Sequence, residues 1–418
     1  MKGGRRWVWI VGLLAVGALS RAAYTSYVYL KPSTVPLAIL ADPDGYGLMA
    51  RHLVGIRELS VVSGQPLTGR EPFYPFLLAG SYVLFGTSPV VGLVLNQALG
   101  LLACWLIFLL TESVFRKQRV ALLALAFACF YPEWIYYGAF LYRETLVTVL
   151  LLLWAYLWAS SGETPSPGPY ILMGLSFGAI AITRSPMTPL GLVFLLMAGR
   201  RLKPVAWPRT LGLFLLCACL LQVPWIWRNY RLMGRFVAGS SMGGSVMYLS
   251  IQKDYAKPEE ALEKPMLGQD PVFQEMRARG LTVDQAEPMF YRACWDIFIH
   301  QPGKFWKAFA CKALKLWRPF PNPGWEYAHS YAVLRAVGLI STGSLMILGA
   351  LGAWWAWRAR FRIGFLLMVP AVMTIIYGLF WAVTRYHSPL MAGWIPLAAF
   401  AAARLLAEST EEESEGTR

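Results

Sequence analysis

Long apolar segments alternate with short polar ones along almost the whole chain. Runs of roughly 15 to 20 apolar residues, enough to cross a hydrocarbon layer as helix, occupy 7–23, 90–111, 120–137, 143–160, 169–183, 186–199, 209–227, 336–357, 363–383 and 388–406. A shorter apolar stretch at 73–86 reads as a re-entrant or interfacial helix. The pair 169–183 and 186–199 is short and divided by Arg184-Ser185-Pro186. This pattern predicts an all-α integral membrane protein with about ten transmembrane helices. It divides the chain into an N-terminal transmembrane region 1–227 with a first outer loop 24–89, a larger, mainly helical loop or cap 228–335, C-terminal transmembrane helices 336–407 and a disordered cytoplasmic tail 408–418.

Composition agrees. The 418 residues are 57% hydrophobic and only 15% charged, against about 25% charged in soluble domains. The net charge of +15 points to membrane headgroups and cytoplasmic loops rather than to nucleic acid. With the N-terminus inside, alternation places Arg116-Lys117-Gln118-Arg119, Arg200-Arg201-Leu202-Lys203 and Arg358-Ala359-Arg360-Phe361-Arg362 on that same side, as short cytoplasmic loops require. Loops 24–89 and 228–335 then face outward, and a multi-pass protein of the cytoplasmic membrane is expected.

Lys2 to Arg6 followed by Trp7 to Leu19 resembles a signal peptide. Ser20-Arg21-Ala22-Ala23 is a poor cleavage site and more spans follow, so an uncleaved first helix is expected. Cys104, Cys129, Cys217 and Cys219 lie in apolar segments, where a thiol packs as a small hydrophobe. Cys294 and Cys311 share the large loop, and spacing alone does not decide whether they pair. In that loop, 284–300 and 303–317 carry helical patterns. The second, rich in Trp and Lys, suits either the membrane interface or packing under an outer cap. Glu411 to Glu415 reads as a solvated end.

The residues able to do chemistry gather outside the apolar runs. Asp42 and Asp44 frame Pro43 just after the first span. Such a pair binds a divalent cation, supplies one acid as a base, or caps the helix that begins near Gly45. Arg184 and Arg385 sit at outer span ends, where the alternative is snorkelling to headgroups. Glu144 starts a span beside Arg143, a functional position or half of an ion pair with that neighbour. His387 reads either as a substrate contact or as a structural histidine. No Cys/His spacing of the zinc type exists, and no metal site is expected beyond a divalent cation at Asp42 and Asp44.

Several motifs share one order and one side of the membrane. Asp42 stands four residues before Tyr46. Arg70-Glu71-Pro72-Phe73-Tyr74-Pro75 follows, then Leu141-Tyr142-Arg143-Glu144, Ile182-Thr183-Arg184-Ser185-Pro186, Pro224-Trp225-Ile226-Trp227-Arg228-Asn229 and Arg385-Tyr386-His387-Ser388-Pro389. Together they resemble the GT-C glycosyltransferases that use polyprenyl-phosphate sugars, among them protein O-mannosyltransferases and lipid A aminoarabinose transferases. That family reads Asp-Glu-x-x-Tyr in the first outer loop and places a basic residue before Pro-x-Tyr. Here Pro43 replaces the Glu, leaving its role vacant unless Asp44 takes it.

The resemblance implies transfer of a sugar from a polyprenyl-phosphate donor to an extracytoplasmic acceptor, with inversion at the anomeric carbon. It assigns Asp42 as the base and Arg70 to the donor phosphate; Asp44 beside the base, and Arg184 and Arg385 at outer span ends, are second candidates for the same two roles. Tyr46, Tyr74, Glu144 and His387 are further substrate contacts. Two other readings compete: a transporter or flippase for lipid-linked glycans, and a polymerase or ligase of such glycans. A transporter needs charges lining a midplane cavity across several spans, whereas here ionisable residues sit at outer span ends.

Overall fold

The computed structural model describes residues 3–30, 36–161, 166–201, 207–253, 268–320 and 331–416. It is a helical bundle carrying one small β-hairpin, Ser60–Val62 against Gln65–Pro66, in the first loop. Every expected span falls on a helix, from Gly3–Tyr29 to His387–Gly416. Their lengths differ more than the apolar runs suggested. Among the described residues five helices are long and apolar enough to cross a membrane, or six if Gln118–Phe130 and Pro132–Gly138 form one span bent by 48°. Pro132 explains that bend, since it cannot donate the hydrogen bond that would continue the first helix. Glu144–Ser160, Pro167–Ala181 and Gly364–Leu379 are shorter apolar helices. Phe73–Phe85 is another, and its 13 residues reach only about 20 Å. It buries Tyr74, Leu78 and Tyr82 and exposes Phe76, Val83, Leu84 and Phe85.

Packing follows residue size. Trp154, fully buried, meets the rings of Phe177, Phe194, Phe214 and Phe365. Gly174 and Gly178, four residues apart on Pro167–Ala181, lie against the Phe214 and Ala218 carbonyls of Trp207–Met233, where a Cβ would collide. Small residues at this spacing let two backbones approach. The first helix is part of the bundle rather than apart from it. Its Arg21 is 1% exposed and donates to the Cys129 carbonyl at 2.8 Å and the Ala128 carbonyl at 3.2 Å. Large apolar side chains such as Trp7, Leu216, Leu220 and Ile347 remain outside, as expected of a lipid-facing surface.

Two smaller cores sit at one end of the bundle. The first loop builds one around Ala41, Tyr46, Met49, Tyr74 and Leu78, with Leu141, Ile182 and Trp225. The large loop builds the other from Tyr248, Phe273, Phe290, Ile297 and Phe305. Both helices expected in that loop are present, as Glu287–His300 and Pro302–Leu316. The second is a packed helix: Phe305, Ala308, Lys312 and Leu316 are buried, while Trp306 and Leu314 stay exposed. Cys294 and Cys311 are both free thiols. The last helix runs to Gly416, past residue 408, where a disordered tail was expected. Glu propagates a helix well, and Arg404 pairs with Glu408 one turn on at 2.8 Å.

Candidate active site

The loop after the first helix is shaped by one carboxylate. Asp42 Oδ2 accepts the Leu48 amide at 2.9 Å, an N-terminal cap for the helix Tyr46–Gly55. Gly45 turns the chain at φ 75°, a left-handed conformation that glycine adopts without strain. A side chain at Gly47 would meet Asp42 Oδ2 at 3.0 Å, so the cap needs glycine there. Asp42 Oδ1 is buried without a hydrogen-bond partner. Burial raises the Asp42 pKa above the ordinary aspartate value, although the amides of Gly47, Leu48 and Tyr46 and the Arg51 charge oppose it.

A cavity of 450 Å³ opens beside this loop, with Asp44, Tyr46, Arg70, Arg143, Arg184 and Arg385 on its walls. Asp42 and Tyr74 do not line it. Tyr74 is buried behind, its hydroxyl donating to Asn96 Oδ1 at 2.9 Å and its ring edge-on to Tyr46. The large loop closes another wall with Ser240, Met242, Gly243, Val246 and Tyr291. Hydrogen bonds hold the loops together there, among them Ser240 Oγ to the Gly69 carbonyl at 2.7 Å and Thr68 Oγ1 to Asp284 Oδ2 at 2.6 Å.

The arginines are held by carboxylates. Arg385 Nη2 lies 2.9 Å from Asp44 Oδ2, and its Nε lies 3.4 Å from Glu144 Oε1. The same Glu144 oxygen takes Arg184 Nη1 at 2.9 Å, a pair 3% and 1% exposed. Arg184 stacks over Tyr386, its guanidinium 3.7 Å from the ring centre. Arg143 does not pair with its neighbour Glu144; it salt-bridges Glu71. Glu71 also takes the amide and hydroxyl of Ser185 at 2.8 and 2.6 Å. Burial alone would raise the Glu71 carboxyl, but Arg143 and the Ser185 donors together hold it below the usual glutamate range.

Arg70 differs from these. Among the described residues it has no carboxylate partner, and its Nη1 is buried with no hydrogen bond. Its guanidinium stands 5.5 Å from the centre of the Tyr46 ring, which Arg143 approaches at 5.7 Å. Four guanidiniums (Arg70, Arg143, Arg184, Arg385) thus meet three carboxylates (Asp44, Glu71, Glu144) around the cavity. An unpaired buried donor is costly, and an anion entering the cavity would satisfy it.

The structure therefore brings Asp44, Tyr46, Arg70, Arg184 and Arg385 together on one cavity, with Glu144 directly behind. It sets His387 apart. His387 is 1% exposed, with Nδ1 3.0 Å from Glu133 Oε2 and the ring edge-on to Trp317. Asp42 and Asp44 engage separate partners, the Leu48 amide and Arg385. Among the described residues no group of three or more His, Cys, Asp or Glu side chains is placed to hold a metal ion. Sequence reasoning missed Glu71, Ser185, Tyr377 and Trp381 as parts of this site. Only Glu71 and Ser185 carried a signal, as immediate neighbours of Arg70 and Arg184.

Residues 66–227 match the sequence family described as dolichyl-phosphate-mannose-protein mannosyltransferase. Comparison with curated protein sequences finds no match. Among solved structures, the chain is similar to ArnT from Cupriavidus metallidurans bound to undecaprenyl phosphate. The TM-score is 0.56 at 15% identity, covering 100% of this chain and 63% of ArnT. It is also similar to the Archaeoglobus fulgidus oligosaccharyltransferase in complex with Zn and sulfate, with a TM-score of 0.53 at 15% identity, covering 95% of this chain and 49% of that one. The chain thus spans less than two thirds of the length of either. The resemblance carried by the motifs from Asp42 to Pro389 agrees with the family match over 66–227 and with the fold of these two structures.

Proposed function

We propose that the chain is a membrane glycosyltransferase that takes a sugar from a polyprenyl-phosphate donor and passes it to an acceptor on the extracytoplasmic side, with inversion. The observation that carries this reading is Arg70. In a cavity where Arg143, Arg184 and Arg385 each lean on a carboxylate, Arg70 has none among the described residues, and its Nη1 is buried without a hydrogen bond. A guanidinium fork matches phosphate oxygens. The protein matched in fold across this whole chain was solved with undecaprenyl phosphate.

In this reading the donor phosphate rests on Arg70, with Arg184 and Arg385 adding positive potential. The acceptor hydroxyl or amine attacks the anomeric carbon from the face opposite the phosphate. The bond from that carbon to the phosphate oxygen breaks, and the polyprenyl phosphate leaves with the electron pair, its charge met by the arginines. Asp44, the first-loop aspartate on the cavity wall, takes the acceptor proton. Asp42 shapes the loop that presents it. The ten expected spans all cross the membrane, the shorter ones by thinning it locally. The basic clusters at 116–119, 200–203 and 358–362 lie inside, and the two loops lie outside.

The experiment is a turnover assay on the full chain in proteoliposomes, with a short-chain polyprenyl-phosphate sugar and an envelope extract as acceptor. Release of free polyprenyl phosphate that stops in Arg70→Ala supports the transferase. Passage of uncleaved donor across the bilayer, without release, supports the flippase reading instead.

A further inference from the structure

A second and larger cavity, of 1240 Å³, lies at the other end of the same helices. Glu144–Ser160 begins at the Asp44 cavity and gives its last residues, from Ala155 to Ser161, to this one. Its 17 residues place the two sites about 25 Å apart along the bundle. Gly364–Leu379 runs the opposite way, from Phe365 here to Tyr377 there.

Five arginines line this cavity: Arg116, Arg200, Arg201, Arg360 and Arg362. No carboxylate lies among its described lining residues. Trp158, Met197, Phe365 and Leu366 make an apolar inner wall. Arg201 is fixed across that wall, 4.4 Å from the centre of the Trp158 ring and bonded to the Trp158 carbonyl at 2.6 Å. Basic residues on short cytoplasmic loops explain positive charge at this end. They do not explain the apolar wall beside it.

Backbone geometry adds a separate observation. Three non-glycine residues among those described have positive φ, and two of them, Arg116 at 53° and Arg360 at 56°, line this cavity. Arg116 ends the helix Pro89–Phe115, its amide bonded to the Glu112 carbonyl at 2.8 Å. Arg360 follows the helix Tyr331–Arg358, and the next amide, of Phe361, returns to the Ala356 carbonyl at 3.0 Å. Glycine is the residue such helix ends favour. At both helix ends the left-handed position is held by an arginine that lines the cavity.

We infer that this cavity is a second anion site, which takes the phosphate headgroup of a membrane lipid between the arginines while the lipid chain lies along the apolar wall. Arg116, Arg200 and Arg360 face no carboxylate among the described lining residues, and a guanidinium fork matches phosphate oxygens. The wall beneath selects a phosphate borne by a lipid over a free one.

The test uses the full chain in an uncharged detergent, with Arg70→Ala as background so that the Asp44 cavity does not contribute. Binding of dioctanoyl phosphatidic acid is measured by native mass spectrometry, beside dioctanoylglycerol and inorganic phosphate. The expected result is saturable binding of phosphatidic acid that weakens about tenfold or more when Arg116→Gly, Arg200→Gln and Arg360→Gly are combined. The glycines suit the backbone at both helix ends, so the melting temperature should not fall. Three results overturn the inference: the triple variant binds phosphatidic acid as its parent does, dioctanoylglycerol binds equally well, or inorganic phosphate displaces the lipid at matching concentration.

Discussion

Arg385 Nη2 stands 2.9 Å from Asp44 Oδ2, which ties the turn before the last helix to the loop after the first. The contact closes the cavity from both ends of the sequence. It leaves Asp44 on the wall with one oxygen held and oriented by the guanidinium. If Asp44 receives the acceptor proton, Asp44→Asn keeps the shape and loses the base. Turnover should fall about 100-fold or more while donor affinity changes little. Single-turnover and binding measurements on the same preparation separate the two. Asp42→Asn should retain most of the turnover.

Asp42 has a stability signature of its own. Burial raises its pKa in the folded protein, so folding favours the protonated form. That contribution is fully present below the unfolded value, about 3.9, and is lost as pH rises through the folded value. Above it the buried carboxylate carries a cost that asparagine does not, while the asparagine oxygen can still accept the Leu48 amide. Asp42→Asn should therefore melt at or above wild type at pH 7.5, and its advantage should shrink towards pH 4. Differential scanning fluorimetry in detergent reads this. A large loss of stability at pH 7.5 would contradict it.

Glu144 holds Arg184 in a pair 3% and 1% exposed. Removing one partner of a buried pair strands the other charge and costs about 3 to 5 kcal/mol. Glu144→Ala should be strongly destabilised, and Glu144→Leu combined with Arg184→Met should recover much of the loss. Chemical or thermal unfolding of the three proteins in one detergent makes the comparison.

Lys312 links the helices of the large loop to the cavity. Its ammonium donates to Ser250 Oγ and to the carbonyls of Leu379 and Phe380 at 2.8, 2.8 and 3.1 Å. Burial lowers its pKa to about 8 from 10.5, with a smaller opposing effect from Cys294. A depressed lysine sheds its proton first in the folded state. Stability should therefore rise with pH between about 8 and 10.5 relative to Lys312→Met. Parallel melting curves across that window check the sign. Phe380 and Trp381 line the cavity, so the variant should also lose turnover.

The sequence showed where charge gathers but not how it pairs. Arg70, Arg184 and Arg385 were legible because each breaks an apolar pattern at a helix end, and all three reach one cavity. Glu71 was hidden because its meaning lies in Ser185 and Arg143, which are distant in sequence. Asp42 and Asp44 looked equivalent by spacing. A left-handed Gly45 and the Leu48 amide separate them, turning one carboxylate into a cap. His387 and Tyr74 carried the right chemistry at the right end of a span, yet packing turned them towards Glu133 and Asn96. The expected span 120–137 is broken at Pro132, whereas the division at Arg184-Ser185-Pro186 was legible and the helices on either side keep about the expected lengths.

The measurement closest to the central claim is donor binding to wild type, Arg70→Lys and Arg70→Ala, with a short-chain polyprenyl-phosphate sugar in detergent. Lysine keeps the charge and loses the fork; alanine loses both. A charge-assisted phosphate contact of about 1.5 to 3 kcal/mol corresponds to roughly 10- to 100-fold in affinity. The account predicts a graded loss, with lysine intermediate and alanine down by that factor. Unchanged affinity in Arg70→Ala would contradict it.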